Sequence, residues 1–121
     1  MLDKHNKKPF ELEERTFLFA KEVRIFVQNL PGSIANKEDI RQLIRASGSV
    51  GANYIEANEA LSKKDFLYRI RISRKESKES VYWLRLILES NNLNKSSQIT
   101  YLIREGIELK KILSAIIEKS K

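Results

Sequence analysis

Seven residues in one stretch carry the densest binding chemistry in the chain. Lys64, Tyr68, Arg71, Lys75, Lys78, Tyr82 and Arg85 recur at a 4-3-4-3-4-3 spacing. On a helix of about 3.6 residues per turn that spacing is one continuous seam. Cations at this interval can meet successive phosphates, and tyrosines among them can stack on unpaired bases. The same pattern also suits a solvated face that neutralises itself, because Glu76 and Glu79 flank it and Lys75 with Glu79 is an i,i+4 pair.

Catalysis has little to work with. The single histidine, His5, lies near the N-terminus, and there is no cysteine. Thiolate metal sites, disulfides and cysteine nucleophiles are therefore excluded, and no histidine is placed to activate the serines. A carboxylate metal site in a helical bundle needs several inward Glu plus Glu-x-x-His motifs, and none is present. A Gly-rich phosphate loop following a strand is also missing. We expect no enzymatic activity, no cofactor and no metal.

The elements that must position the seam follow from hydrophobic spacing. Apolar residues recur every three or four positions in four segments and every two in none. The first segment runs from about Phe10 to Leu30 through Leu12, Thr16, Phe19, Val23 and Phe26, and Leu30-Pro31-Gly32-Ser33 stops it. The second is expected from an N-cap near Asn36, with a stripe Ile40, Leu43, Ser47, Val50, Tyr54, Ala57 and Leu61. The third opens near Ser62 and continues to about Ser90 through Phe66, Ile70, Ser73, Ser77, Ser80, Leu84 and Ile87. Asn91-Asn92-Leu93-Asn94 breaks it. The fourth starts near Ser97 and carries Ile99, Leu102, Gly106, Leu109, Leu113 and Ile116. Short connections make successive helices antiparallel, so the expected fold is all-α, an up-down-up-down four-helix bundle. Residues 1–9 read as a mobile basic tail and residues 10–121 as a single four-helix-bundle domain. The seam lies five residues, about 140°, round from the Phe66–Ile70–Ser73 stripe, and so should face away from the core.

Two features are unusual for a plain bundle. Ala46-Ser47-Gly48-Ser49-Val50-Gly51-Ala52 holds two glycines inside a helix, where each costs about 1 kcal/mol relative to Ala. Ser47 with Gly51, and Gly48 with Ala52, would let another helix approach closely, within the monomer or from a second subunit. The third helix carries serine at core positions yet presents Trp83 and Leu86 off the main stripe, a pattern that points to oligomerisation. Arg41, Arg45, Asn53 and Glu56 form a polar set on the second helix. Its partners should lie on other helices or subunits.

Across the 121 residues, 23 Lys and Arg stand against 16 Asp and Glu, a net charge of +7. Residues 63–91 hold eight of those cations against four acids, so the excess peaks on the seam's own segment. A cationic protein attracts polyanions, of which nucleic acid is the commonest inside cells. No apolar run approaches the roughly 20 residues a membrane span needs, and no signal-peptide run follows the basic N-terminus. A cytoplasmic protein without membrane contact is expected.

The block Arg41-Gln42-Leu43-Ile44-Arg45-Ala46-Ser47-Gly48-Ser49-Val50-Gly51-Ala52-Asn53-Tyr54-Ile55-Glu56-Ala57 resembles the signature of the bacterial four-helix-bundle proteins encoded in intervening sequences of 23S rRNA genes. Glu14-Arg15-Thr16, Leu30-Pro31, Asp65-Phe66, Arg74-Lys75-Glu76, Glu79 and Tyr82-Trp83-Leu84 also resemble family positions. The likeness runs from about residue 10 to 117. It departs at Tyr54 and Ala57, where the family often has Ile and Gly. The resemblance implies a four-helix bundle assembled as a ring-like homopentamer. A related branch, the accessory proteins of diversity-generating retroelements, implies a basic oligomer that binds nucleic acid and a reverse transcriptase. Two functions follow as expectations: an oligomeric RNA- or DNA-binding protein working through the seam, or a structural and protein-interaction scaffold.

Overall fold

Local chemistry at three breaks divides the chain. The computed structural model describes the backbone from Lys4 and the side chains from Phe10 onward, and contains four helices: α1 (Lys4–Val27), α2 (Ile34–Asn58), α3 (Lys63–Ser90) and α4 (Ser97–Ser120). After α1 the chain tightens through i→i+3 bonds from Gln28, Asn29 and Leu30 before Pro31 ends it. Ser33 caps α2 and Ser62 caps α3. Each hydroxyl accepts the backbone N–H three residues on, from Asn36 and Asp65 respectively, at 3.1 Å. α3 ends with Asn92 in the left-handed region at φ 55°, which Asn tolerates better than most residues. The Leu93 N–H then donates to the Leu88 carbonyl at 2.9 Å, closing the end of the helix.

Each helix packs on its neighbours in the cyclic order α1-α2-α3-α4, and among the described residues the backbones of diagonal pairs make no close approach. This is the up-down-up-down bundle that the spacing predicts, and no strand occurs among the described residues. Its core holds Phe19, Val23, Leu43, Val50, Ile70, Leu84, Leu102, Leu109 and Leu113, all but withdrawn from solvent. Truncating one such leucine to alanine typically costs about 2–5 kcal/mol.

Several expectations are corrected. α1 begins at Lys4 rather than near Phe10, and residues 1–3 of the segment read as a tail lie outside the described residues. Asn36 is not the cap of α2; Ser33 is, because its hydroxyl reaches the free N–H of Asn36. Asn36 is instead buried. Its amide donates to the Pro31 carbonyl, and it exchanges two 2.9 Å hydrogen bonds with the Asn91 amide, tying the start of α2 to the end of α3. Leu61 is 99% exposed, since α2 has already stopped at Asn58 and the stripe extrapolates beyond the helix. On α4, Ile117 enters the core and Ile116 sits only part-buried at its edge, because the stripe steps by four after Leu113.

Small residues set the closest approaches. A Cβ on Gly51 would lie 2.8 Å from Thr16 Oγ1 and 3.2 Å from Thr16 Cβ, so α1 packs directly on that backbone. At Gly106 a Cβ would lie 2.7 Å from Val81 Cγ2, the corresponding contact of α3 with α4. The core-facing serines belong to the same device. The Ser73 hydroxyl donates to Val50 on α2 at 2.6 Å and the Ser77 hydroxyl to Gly106 on α4 at 2.7 Å, while Ser80 bonds back to Glu76 at 2.8 Å. A short side chain that satisfies itself on a backbone carbonyl lets helices approach without stranding a polar group.

Candidate nucleic-acid interface

Because Ile70, Ser73, Ser77 and Leu84 turn one side of α3 into the bundle, the residues half a turn away must face water. Lys64, Tyr68, Arg71, Lys75, Lys78, Tyr82 and Arg85 are all exposed, Tyr68 by 60% and Tyr82 by 56%. The structure therefore brings all seven onto one outer face of a 28-residue helix. Lys64 and Arg85, 21 residues apart, are separated by about 31 Å along its axis. Glu89, one turn beyond Arg85, is exposed and is the acid at the far end of this face.

None of the five seam cations forms an ion pair among the described residues. The Lys75–Glu79 pair that would neutralise the middle of the seam does not form. Both nearby carboxylates are turned the other way, towards α2. Arg45 Nη2 lies 3.5 Å from Glu79 Oε1 and Arg45 Nη1 lies 3.7 Å from Glu76 Oε2. One arginine thus holds both acids on the α2 side of α3 and leaves the outer face cationic.

Glu76 is a costly member of that cluster. Its side chain is 9% exposed, and Oε1 is buried without a hydrogen-bond partner among the described residues. Burial, reinforced by the like charge of Glu79, pushes its pKa above the usual carboxylate range, against the pull of Arg45 and Lys75.

The polar set of α2 divides. Arg45 finds its partners on α3. Asn53 accepts from Arg69 of α3 at 3.2 Å and donates to Ser49 at 2.9 Å. Arg41, contrary to expectation, pairs within its own helix, with Glu38 at 2.8 Å, because the two stand one turn apart on an exposed surface. Glu56 is exposed. The small block is used inside the chain: Ser47 and Gly51 are buried, Gly51 against Thr16, and the Arg24 guanidinium covers Gly48, where a Cβ would meet it at 3.2 Å. Ala52 is exposed. Trp83 is not the exposed residue the sequence suggests. It is part-buried and packed against the core, with Nε1 lacking an acceptor among the described residues. Leu86 does remain 38% exposed.

Sequence reasoning missed Arg69, and it named Trp83 without its contact with Tyr82. Arg69 places its guanidinium carbon 5.8 Å from the Tyr68 ring centroid, and Trp83 meets Tyr82 edge to face with centroids 5.0 Å apart. The available signal was adjacency, Tyr-Arg and Tyr-Trp, but which neighbour turns towards the ring depends on α2, whose Asn53 holds Arg69.

Apolar surface also remains uncovered on α1, where Phe10 is 71%, Phe17 61% and Ile25 46% exposed. No helix among the described residues is long and apolar enough to cross a membrane.

A family model described as 23S rRNA-intervening sequence protein matches residues 8–115. Among solved structures, the chain is similar to a protein with unknown function from the S23 ribosomal protein family of Bacteroides thetaiotaomicron. The two share 26% identity and superpose with a TM-score of 0.76 over 88% of this chain and 97% of that one. None of the curated proteins matches.

Proposed function

The chain belongs to the 23S rRNA-intervening sequence protein family, and from that premise we propose that it is a non-enzymatic, oligomeric bundle protein that binds RNA or DNA through the outer face of α3. The observation that carries this reading is the unneutralised seam. Five cations on one helix face stand without ion pairs among the described residues, while Arg45 draws off Glu76 and Glu79, the two acids flanking the middle of the seam. Phosphate contacts of this kind release counterions, supply affinity without sequence preference and weaken steeply with salt.

One subunit offers only a few cations. Assembly of several copies, as the resemblance implies, would present several seams to one polyanion and raise apparent affinity without any new type of contact. The exposed phenylalanines of α1 favour a protein contact of this kind. Light scattering checks assembly, and a stable monomer at micromolar concentration would remove it from the proposal.

The decisive experiment compares wild type with Arg71→Glu/Lys75→Glu/Lys78→Glu by fluorescence anisotropy across a salt series. Charge reversal should lower affinity and flatten the salt slope while leaving the oligomer mass unchanged. If the variant binds with the same affinity and slope, the seam is only a solvated face. The structural scaffold, including a role as the accessory partner of a reverse transcriptase, then becomes the better account.

A further inference from the structure

Tyr68 and Tyr82 share more than exposure. They stand 14 residues apart, close to four whole turns, and so project from nearly the same side of α3 at a separation of about 21 Å. Each is braced by the residue that follows it. Arg69 lies over one face of the Tyr68 ring and is itself held by Asn53 of α2. Trp83, anchored against the core, meets Tyr82 edge to face at an interplanar angle of 79°. Each ring is thus partly restricted by a neighbour while more than half of it stays open to solvent. Arg71, Lys75 and Lys78 lie between them on the same face. A ring fixed before binding loses less rotational freedom when a ligand stacks on it.

A duplex hides the faces of its bases, so it can use the cations and not the rings. An unpaired strand can use both. We infer that the outer face of α3 is a single-strand site. In it, Tyr68 and Tyr82 each stack on a base, and the cations between them follow the intervening phosphates. At roughly 3.4 Å per nucleotide of stacked strand, a 21 Å separation spans about six nucleotides, and fewer if the strand is extended. The inference rests on the nucleic-acid reading above and narrows it to unpaired RNA or DNA.

Full-length protein is titrated against labelled oligouridine and oligothymidine of 3, 6, 10 and 15 nucleotides, and against an RNA duplex and a DNA duplex. Affinity should step up once the strand reaches about six nucleotides. Tyr68→Leu and Tyr82→Leu should each weaken binding of the 10-mers by about 5- to 150-fold, as loss of one stacked base does. Duplex binding should stay within about twofold. Tyr68→Phe and Tyr82→Phe should retain single-strand affinity, because phenylalanine also stacks. Both tyrosines are on the surface, so helical content by circular dichroism should not change. The RNA and DNA arms show whether the 2′-hydroxyl matters to the same site. If the leucine variants bind single strands as wild type does, or lose duplex binding equally, the stacking site is overturned while phosphate binding stands. If wild type binds neither strand nor duplex, both readings fall.

Discussion

α3 has two polar faces, and they differ in what their polar groups touch. The inner one carries Ser73, Ser77, Ser80 and Glu76, all buried, with the three hydroxyls donating to backbone carbonyls of the same chain. The outer one carries Lys64, Arg71, Lys75, Lys78 and Arg85, all exposed and without ion pairs among the described residues. Short hydroxyls serve where helix backbones approach closely, because each can satisfy itself on a carbonyl within reach. Long cations suit the opposite side, where water solvates them and no buried polar group is left unsatisfied. The faces are linked by Arg45, which claims the carboxylates standing between them. Polarity on this helix is thus satisfied within the bundle on one side and left to solvent on the other.

The largest effect should come from the outer face. On the proposed reading, Arg71→Glu/Lys75→Glu/Lys78→Glu removes three phosphate contacts and adds repulsion. We expect an affinity loss on the order of 100-fold, about 3 kcal/mol, and a log–log salt slope flatter by about 2–3. The thermal midpoint should barely move. A large drop in stability would show that the cations are structural after all and would break the comparison.

Ser77→Leu probes the inner face. It removes the donor to Gly106 and pushes bulk into the closest approach of α3 and α4. Overpacking of this kind typically costs about 1–3 kcal/mol, read as a lower urea midpoint. Nucleic-acid affinity of the folded protein should be unchanged. A variant with an unaltered midpoint would mean that the serine position tolerates bulk and is not a tight contact.

Glu76→Gln should give the smallest effect and the sharpest sign. The folded-state pKa of Glu76 is raised, mainly by burial and next by Glu79. Between its unfolded and folded values the native state binds more protons than the unfolded one. The stability this confers is therefore full below the unfolded pKa and is lost as pH rises through the folded pKa. Wild type should gain stability from this residue as pH falls from neutrality into that window. Glu76→Gln should remove that gain and be no less stable than wild type at neutral pH. Chemical denaturation across a pH series checks it, and an unchanged pH profile would place Glu76 in a better-solvated setting than its burial indicates.

Much of this was legible in the chain. The 3-4 spacing of apolar residues placed four helices, Ser62 marked the start of α3, Asn91-Asn92 marked its end, and the seam's periodicity put seven residues on one outward face. Such features depend on residues within a turn or two of one another, so spacing carries them. The misplacements occurred where local rules compete or run past their element. Ser33 and Asn36 are both good caps, and the one whose hydroxyl reached a free N–H took the position. Leu61 continued a stripe that had no helix left to carry it.

What only the tertiary structure decided is which distant groups meet. The mutual amide pair of Asn36 and Asn91 joins residues 55 apart, and the two Arg15–Glu105 hydrogen bonds, 2.6 and 2.9 Å, join residues 90 apart. The pull of Arg45 on Glu76 and Glu79, the bracing of Tyr68 by an arginine that Asn53 holds, and the part-burial of Trp83 depend on how α2 and the core lie against α3. Sequence periodicity determines the direction in which a side chain leaves its helix, since that is a property of the helix alone. Whether a charge leaving in that direction is quenched or free depends on what the neighbouring helix presents at the same height, and packing sets that height.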